Sequence, residues 1–371
     1  MKRITTLLLC LLAIVNLSAQ SHSHTGPGAI TYPNIEGYIT LKADLHQHTV
    51  FSDGNVWPRI RVMEALRDSL DVISLTEHLE YQPHIDDIPH PDRNRSFKLA
   101  LAEAKDHNLL VVHGTEITRQ PPAGHSNAIF ITDANPMLVK DSVAAFAEAK
   151  KQGAFVFWNH PAWYPQSRTG NPILSDFQKD RIKNNELHGI EVINSKDYAE
   201  ESLALALEHN LTIMGTSDVH DLITWDYTQE DNHRPITLIF AKEKSEASIR
   251  EALFQRRTVA AYNDLLVGRP EFLNPLLQSC IQITKASYIP DSDILEVVLR
   301  NVSSSDLLFE NAMPYTFYSR APIFEAPAKG TVVLQIKTLE RMKAVDLRLK
   351  ALRAYTAPKT QPTLSWDVTV E

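Results

Sequence analysis

A chain of 371 residues, 43% hydrophobic and 22% charged, has ample core-forming material and exceeds the usual size of one domain. Its formal net charge of -8, from 37 basic and 45 acidic residues, excludes a general electrostatic pull toward nucleic acid or anionic lipid. Recognition of phosphate would have to be local, and bound divalent cations are the natural local source of positive charge.

In chain order, Met1-Lys2-Arg3, an apolar run from Leu7 to Leu17 and Ser18-Ala19-Gln20 form the pattern of a cleavable secretory signal over residues 1–19. The run falls short of the roughly 20 residues a spanning helix needs, so no stable membrane anchor is expected. Cys10 lacks the small residues that precede a lipoprotein cysteine, and cleavage would leave Cys280 alone, without an intrachain disulfide. The expected location is outside the cytoplasm, periplasmic or secreted. Residues 20–40, with His22, His24 and Gly26-Pro27-Gly28, read as a mobile lead-in.

From Leu41 the texture changes. Apolar strands at Leu41–Leu45, Asp71–Leu75, Leu109–His113, Ala154–Trp158, Gly189–Ile193 and Thr212–Gly215 alternate with helical stretches. The helices read as Trp57–Ser69, Arg95–His107, Ser142–Lys151, Ala199–Glu208 and Ser245–Arg256, with Pro58 near the start of the first. Such alternation predicts a parallel sheet and a β/α barrel over residues 41–270. Beyond the joint expected at Pro270 to Pro275, alternating segments at Ile281–Ser287, Ile294–Asn301, Thr331–Lys337 and Val345–Arg348 predict a small antiparallel, sandwich-like β domain over residues 275–371.

Polar groups follow the barrel strands, where this architecture places its chemistry. His46 and His48, two apart at an extended strand end, can turn both rings to one face. Alone, such a pair is a weak signal. Thr76-Glu77-His78 ends the next strand, and His113-Gly114-Thr115-Glu116 offers a carboxylate able to bridge two metals. Gly124-His125, then Asn159-His160-Pro161, then Asp218-Val219-His220 complete the series. Pro161 predicts an extended backbone at His160. Each group has an ordinary structural reading; their recurrence after successive strands, with donors suited to zinc, manganese or iron, favours a metal site.

In their order these residues resemble the polymerase and histidinol phosphatase (PHP) family of metal-dependent phosphoesterases, over about residues 41 to 265. The resemblance implies a distorted seven-stranded β/α barrel, (β/α)7, holding three divalent cations. It assigns His46, His48, Glu116 and Asp218 to the first ion and Glu116, His125 and His160 to the second. Asp53, His78 and His220 would hold the third. A hydroxide bridging two metals would attack phosphorus, and Asp218 or His220 could return the proton to the expelled alcohol.

Arg119, Arg168 and Lys196, with Arg93 and Arg95, lie in or beside loops at the catalytic end and are candidates to grip the substrate phosphate. Trp158, Trp163 and Tyr164 could wall the leaving-group pocket or simply pack. The expected activity is hydrolysis of a small-molecule phosphate ester outside the cytoplasm, a diester in preference to a monoester, with no nucleic acid as partner. Alternatives are a phosphomonoesterase of the same family and a non-catalytic metal-binding or docking protein.

Overall fold

Residues 29–227 and 233–371 are described by the computed structural model. The expected signal over residues 1–19, and His22 and His24, lie outside them. Among the described residues no helix is long and apolar enough to cross a membrane.

The first domain holds strands β1 (Ile39–Asp44), β2 (Val72–Leu75), β3 (Leu110–Thr118), β4 (His125–Ile129), β5 (Phe155–Trp158), β6 (Gly189–Asn194), β7 (Asp197–Tyr198), β8 (Thr212–Thr216), β9 (Ile236–Ala241), β10 (Thr258–Tyr262) and β11 (Leu265–Gly268). Between them lie helices α1 (Pro58–Arg67), α2 (Arg95–Ala104), α3 (Ser142–Lys151), α4 (Asp176–Lys183), α5 (Glu200–Glu208), the short α6 (Ile223–Asp226) and α7 (Glu246–Phe254). Central strands such as β2, β5 and β9 are buried along their whole length, which explains their continuous apolar runs.

Parallel steps join β1 to β2, β2 to β3, β5 to β6 and β6 to β8. The sequence did not foresee β4, which pairs antiparallel to both β3 and β5. Its reason is the connection: residues 119–124 are too few for a parallel crossover, so the chain makes a hairpin. An antiparallel pairing also links β9 to β1. This is a β/α barrel distorted by antiparallel insertions.

Where β8 meets β9 and β10, threonine side chains replace a ladder. Gly215 N donates to Thr237 Oγ1 at 3.0 Å, Thr237 Oγ1 donates back to Gly215 O at 2.8 Å, and Thr258 Oγ1 reaches Ile213 O at 2.8 Å. Only glycine permits this approach, because a Cβ at position 215 would stand 2.7 Å from the Ile236 carbonyl oxygen.

The joint expected at Pro270 to Pro275 is instead a helix, α8 (Pro270–Cys280), which contains Pro275. Pro270 occupies the first turn, where no N–H is required, and Leu273, Leu276, Leu277 and Cys280 bury one face. Beyond it come β12 (Ile281–Tyr288), β13 (Ile294–Asn301), β14 (Leu307–Asn311), β15 (Thr316–Phe317), β16 (Ile323–Ala326), β17 (Thr331–Lys337), β18 (Ala344–Ala351), β19 (Ala354–Tyr355) and β20 (Thr363–Thr369). They form two four-stranded sheets, ordered β12-β13-β17-β15 and β16-β14-β18-β20, while β19 pairs with β11 of the first domain. Alternating burial along β17 and β18 is the pattern of a sandwich with one wet face per sheet.

The two domains share one apolar cluster, in which Ile73, Leu238 and Leu276 join Leu295, Phe309 and Leu347. Residues 30–35 are not a mobile lead-in. Ile30, Tyr32 and Ile35 are buried, and the Tyr32 hydroxyl lies 2.9 Å from His233 Nε2 and 2.6 Å from Ser305 Oγ, tying barrel to sandwich.

Candidate metal centre

The His46–His48 segment continues β1 beyond Asp44 and is clamped on both sides. Thr76 N donates to Gln47 O at 2.9 Å, His48 N to Val219 O at 3.0 Å and Asp218 N to His46 O at 2.9 Å. Buried Arg61 secures the same edge, donating to the carbonyls of His48, Val219 and Asp221 and pairing with Glu64 at 2.8 Å. The predicted shared face is present: His46 and His48 are fully buried, and their Nε2 atoms lie 3.1 Å apart. Asp218 Oδ1 stands 3.1 Å from each.

Glu116 sits inside β3 rather than after it, because the strand runs on to Thr118. Its carboxylate is the hub. Oε2 lies 2.7 Å from His78 Nδ1, 3.6 Å from His48 Nε2 and 3.7 Å from His46 Nε2; Oε1 lies 2.7 Å from His125 Nδ1 and 3.9 Å from His160 Nε2. Asp53 lies 3.3 Å from His78, 3.2 Å from His220 and 3.7 Å from His48.

Four overlapping groups result: His48, Asp53, His78 and His220; His46, His160 and Asp218; His46, His48 and Glu116; and His78, Glu116 and His125. His78 thus reaches both Asp53 and Glu116, while His160 stands with His46 and Asp218, 3.8 Å from the latter.

Cations fit this donor set. Glu116 is fully buried, and although imidazole nitrogens of His78 and His125 stand 2.7 Å from its two oxygens, neither oxygen has an aligned hydrogen bond, a setting that suits cations placed between carboxylate and rings. Burial opposes charge on His46, His78 and His220. Even so, Asp218 raises His46 well above the ordinary value, Glu116 brings His78 up to about 11, and the hydrogen bond His220 donates to Asp53 raises His220. The carboxylates therefore create a local demand for positive charge that divalent ions would meet.

Two of these residues are held in unusual backbone conformations. Asp218 has φ 53° and His160 φ 28°, so His160 is not extended as the following proline predicts. Glu191 braces His160 in this conformation: its Oε2 accepts from His160 N at 2.6 Å, while Oε1 holds His46 Nδ1 at 2.7 Å and Thr216 Oγ1 at 2.6 Å. Asn194 links the same carboxylate, at 2.9 Å, to Asp218 Oδ2 at 3.4 Å. The sequence reading missed Glu191 and Asn194; the available signal was their place on β6 in the same run as the other strand-end groups.

Glu77, within a motif but without an assigned role, accepts from Thr49 N at 3.0 Å and Ser52 Oγ at 2.6 Å and so shapes the loop that carries Asp53. Asp44 does the same for the Asp218 loop, accepting from Ser217 N and Oγ, and is neutralised by buried Arg234 at 3.2 Å.

The proposed phosphate-gripping cations differ in setting. Arg119 is paired with Glu80 and donates to the Thr118 carbonyl. Arg168 is exposed and stacks on Tyr164 at 4.7 Å, and Lys196 lies 5.5 Å over Tyr227. Arg93 donates to the carbonyls of Leu79 and His90, and Arg95 packs over Phe51. Trp158 is buried with its Nε1 3.3 Å from Gln166 Oε1, whereas Trp163 and Tyr164 are exposed.

Imidazoles and carboxylates gathered at a barrel end, with Asp53 and His220 reaching solvent, define a metal-dependent enzyme by class. Over 92% of its length this chain matches, at 38% identity and TM-score 0.85, 98% of a two-domain protein from Bacteroides vulgatus ATCC 8482 that contains a predicted PHP-like metal-dependent phosphoesterase. The chain belongs to the PHP-like metal-dependent phosphoesterases.

A chain from Bifidobacterium adolescentis ATCC 15703, described as a candidate metal-dependent phosphoesterase, is similar at 19% identity over 48% of this chain and 87% of its own, with TM-score 0.39. A lesion-specific endonuclease, PfuEndoQ from Pyrococcus furiosus, is similar at 14% identity over 67% of this chain and 62% of its own, with TM-score 0.41. The family model DUF5001, described as an Ig-like domain, matches residues 281–367. No curated protein matches the chain.

Proposed function

We propose that this phosphoesterase is a phosphodiesterase that acts on a small-molecule ester outside the cytoplasm, using three divalent cations drawn from zinc, manganese or iron. The carrying observation is Glu116, fully buried, with no aligned hydrogen bond to either carboxylate oxygen and ringed by the imidazoles of His46, His48, His78, His125 and His160. With Asp53, Asp218 and His220 these are the proposed ligands. Cations held there would supply Lewis acidity to an attacking water and to the phosphate oxygens.

The chain's own residues do the rest. Glu191 fixes the rings of His46 and the backbone of His160, so that the donors are placed before substrate arrives. Asp218 and His220 reach solvent, at 16% and 34% side-chain exposure, and are the candidates to relay the proton lost by the attacking water to the departing alcohol. Arg168 and Lys196, on exposed loops, are the proposed grips for phosphate, with Arg119 behind its Glu80 pair. Asp53 and His220 form the solvent-facing edge of the cluster; the preference for a diester rests on the likeness of the domain layout to exported phosphodiesterases of the family. Export is proposed from the Met1-Lys2-Arg3, Leu7–Leu17 and Ser18-Ala19-Gln20 pattern of the sequence.

The test is turnover of bis(p-nitrophenyl) phosphate against p-nitrophenyl phosphate by protein loaded with each metal, with His160→Ala as control. Faster diester turnover, abolished in the control, is expected. Faster monoester turnover would make the protein a phosphatase, and no turnover despite bound metal would make it a binding protein.

A further inference from the structure

Trp163 has a setting that packing does not explain. Its indole leans on His160, with ring centroids 5.1 Å apart and planes at 75°, and on His125 at 5.7 Å and 59°, while 49% of the residue stays exposed. The backbone beneath it is fixed: Trp163 N donates to His160 O at 2.9 Å, and Trp163 O accepts from Gln166 N and Ser167 N at 2.8 Å. A large ring left half in water on a rigid turn stabilises a fold little, but it is preorganised for a ligand.

Two further exposed aromatics flank this position, one against the cluster and one next to Trp163 in the chain. Tyr81, 54% exposed, meets His78 edge-on at 6.0 Å, and Tyr164, 62% exposed, carries the Arg168 guanidinium over its ring. These flat surfaces, one with a cation on it, suit an aromatic ring attached to an anion.

We propose that Trp163, supported by Tyr81 and by Tyr164 with Arg168, is the specificity surface of this centre and selects phosphate esters that carry a flat unsaturated ring. The assignment rests on the phosphoesterase reading of the site. Trp163 touches the candidate ligands His125 and His160, so a ring esterified to a phosphate at the cluster lies within reach of the indole face. Alkyl esters would bind the same centre without that contact.

Calorimetry on manganese-loaded protein tests this without turnover, with methylphosphonate, phenylphosphonate and the phosphonate isostere of adenosine monophosphate as ligands. At least one ring ligand should bind about tenfold tighter than methylphosphonate. The better of the two tells an aryl alcohol from a nucleobase. Trp163→Ala should remove that margin while leaving methylphosphonate affinity and Tm in place, and Trp163→Phe should retain most of it. Equal binding of all three ligands by the wild type, or a margin that survives Trp163→Ala, would overturn the proposal and leave the phosphoesterase reading standing. Failure of all three ligands to bind would sink both.

Discussion

Glu191 touches His46, His160 and Thr216 from a fully interior position, so it acts by orienting donors rather than by meeting substrate. Glu191→Gln keeps the shape but replaces one acceptor oxygen with an amide donor facing His46 or the His160 amide. Metal affinity, measured by competition with a chelator, should fall about 10- to 100-fold. Unchanged affinity would reduce Glu191 to ordinary packing. A second residue sets a pH dependence away from the cluster. Burial lowers the His233 pKa to about 4, and the neutral ring is held between the Arg234 carbonyl and the Tyr32 hydroxyl. As pH falls from the unfolded value of about 6.5 toward 4, the unfolded chain takes up this proton and the folded one does not. Stability from the neutral ring is therefore complete above about pH 6.5 and lost on acidification. The unfolding free energy of wild type minus that of His233→Gln, from urea titrations, should shrink by on the order of 3 kcal/mol between pH 7 and 4.

At the scale of elements, strand ends were legible because apolar runs stop where the polar donors begin. His46, His48, His78 and Asp218 follow β1, β2 and β8 as the spacing predicts. Glu116 did not obey, since β3 runs on into a hairpin with β4, and a six-residue connection rich in proline carries no periodicity to announce it. The β8 seam is the other feature that local pattern cannot show. It depends on a glycine facing a carbonyl from a strand that arrives later in the chain. Gly215→Ala should cost about 2 kcal/mol, because the Ile236 carbonyl at 2.7 Å and Ala260 at 3.0 Å are backbone and small side chain with little freedom to yield. A Tm equal to wild type would show that the seam relaxes freely.

For the whole molecule, the question is whether the Ig-like sandwich is a module or a cap. Its core residues Leu295, Leu334 and Leu347 belong to one cluster with Ile73, Leu238 and Leu277, and Tyr32 bridges to Ser305. Deleting residues 281–371 should therefore expose apolar surface and yield insoluble protein. A soluble, metal-binding fragment would instead identify an independent docking module.

Periodicity and donor spacing were sufficient in this sequence for the β/α barrel, the β domain and the order of the metal-binding motifs, since each is a local regularity of side-chain type along one chain segment. Tertiary structure alone decided the sharing of His78 between Asp53 and Glu116, the support from Glu191, the strained backbone at His160 and the burial of residues 30–35. Those depend on atoms from segments far apart in sequence meeting in one interior, where an unmatched charge or carbonyl must find its partner whatever the distance along the chain.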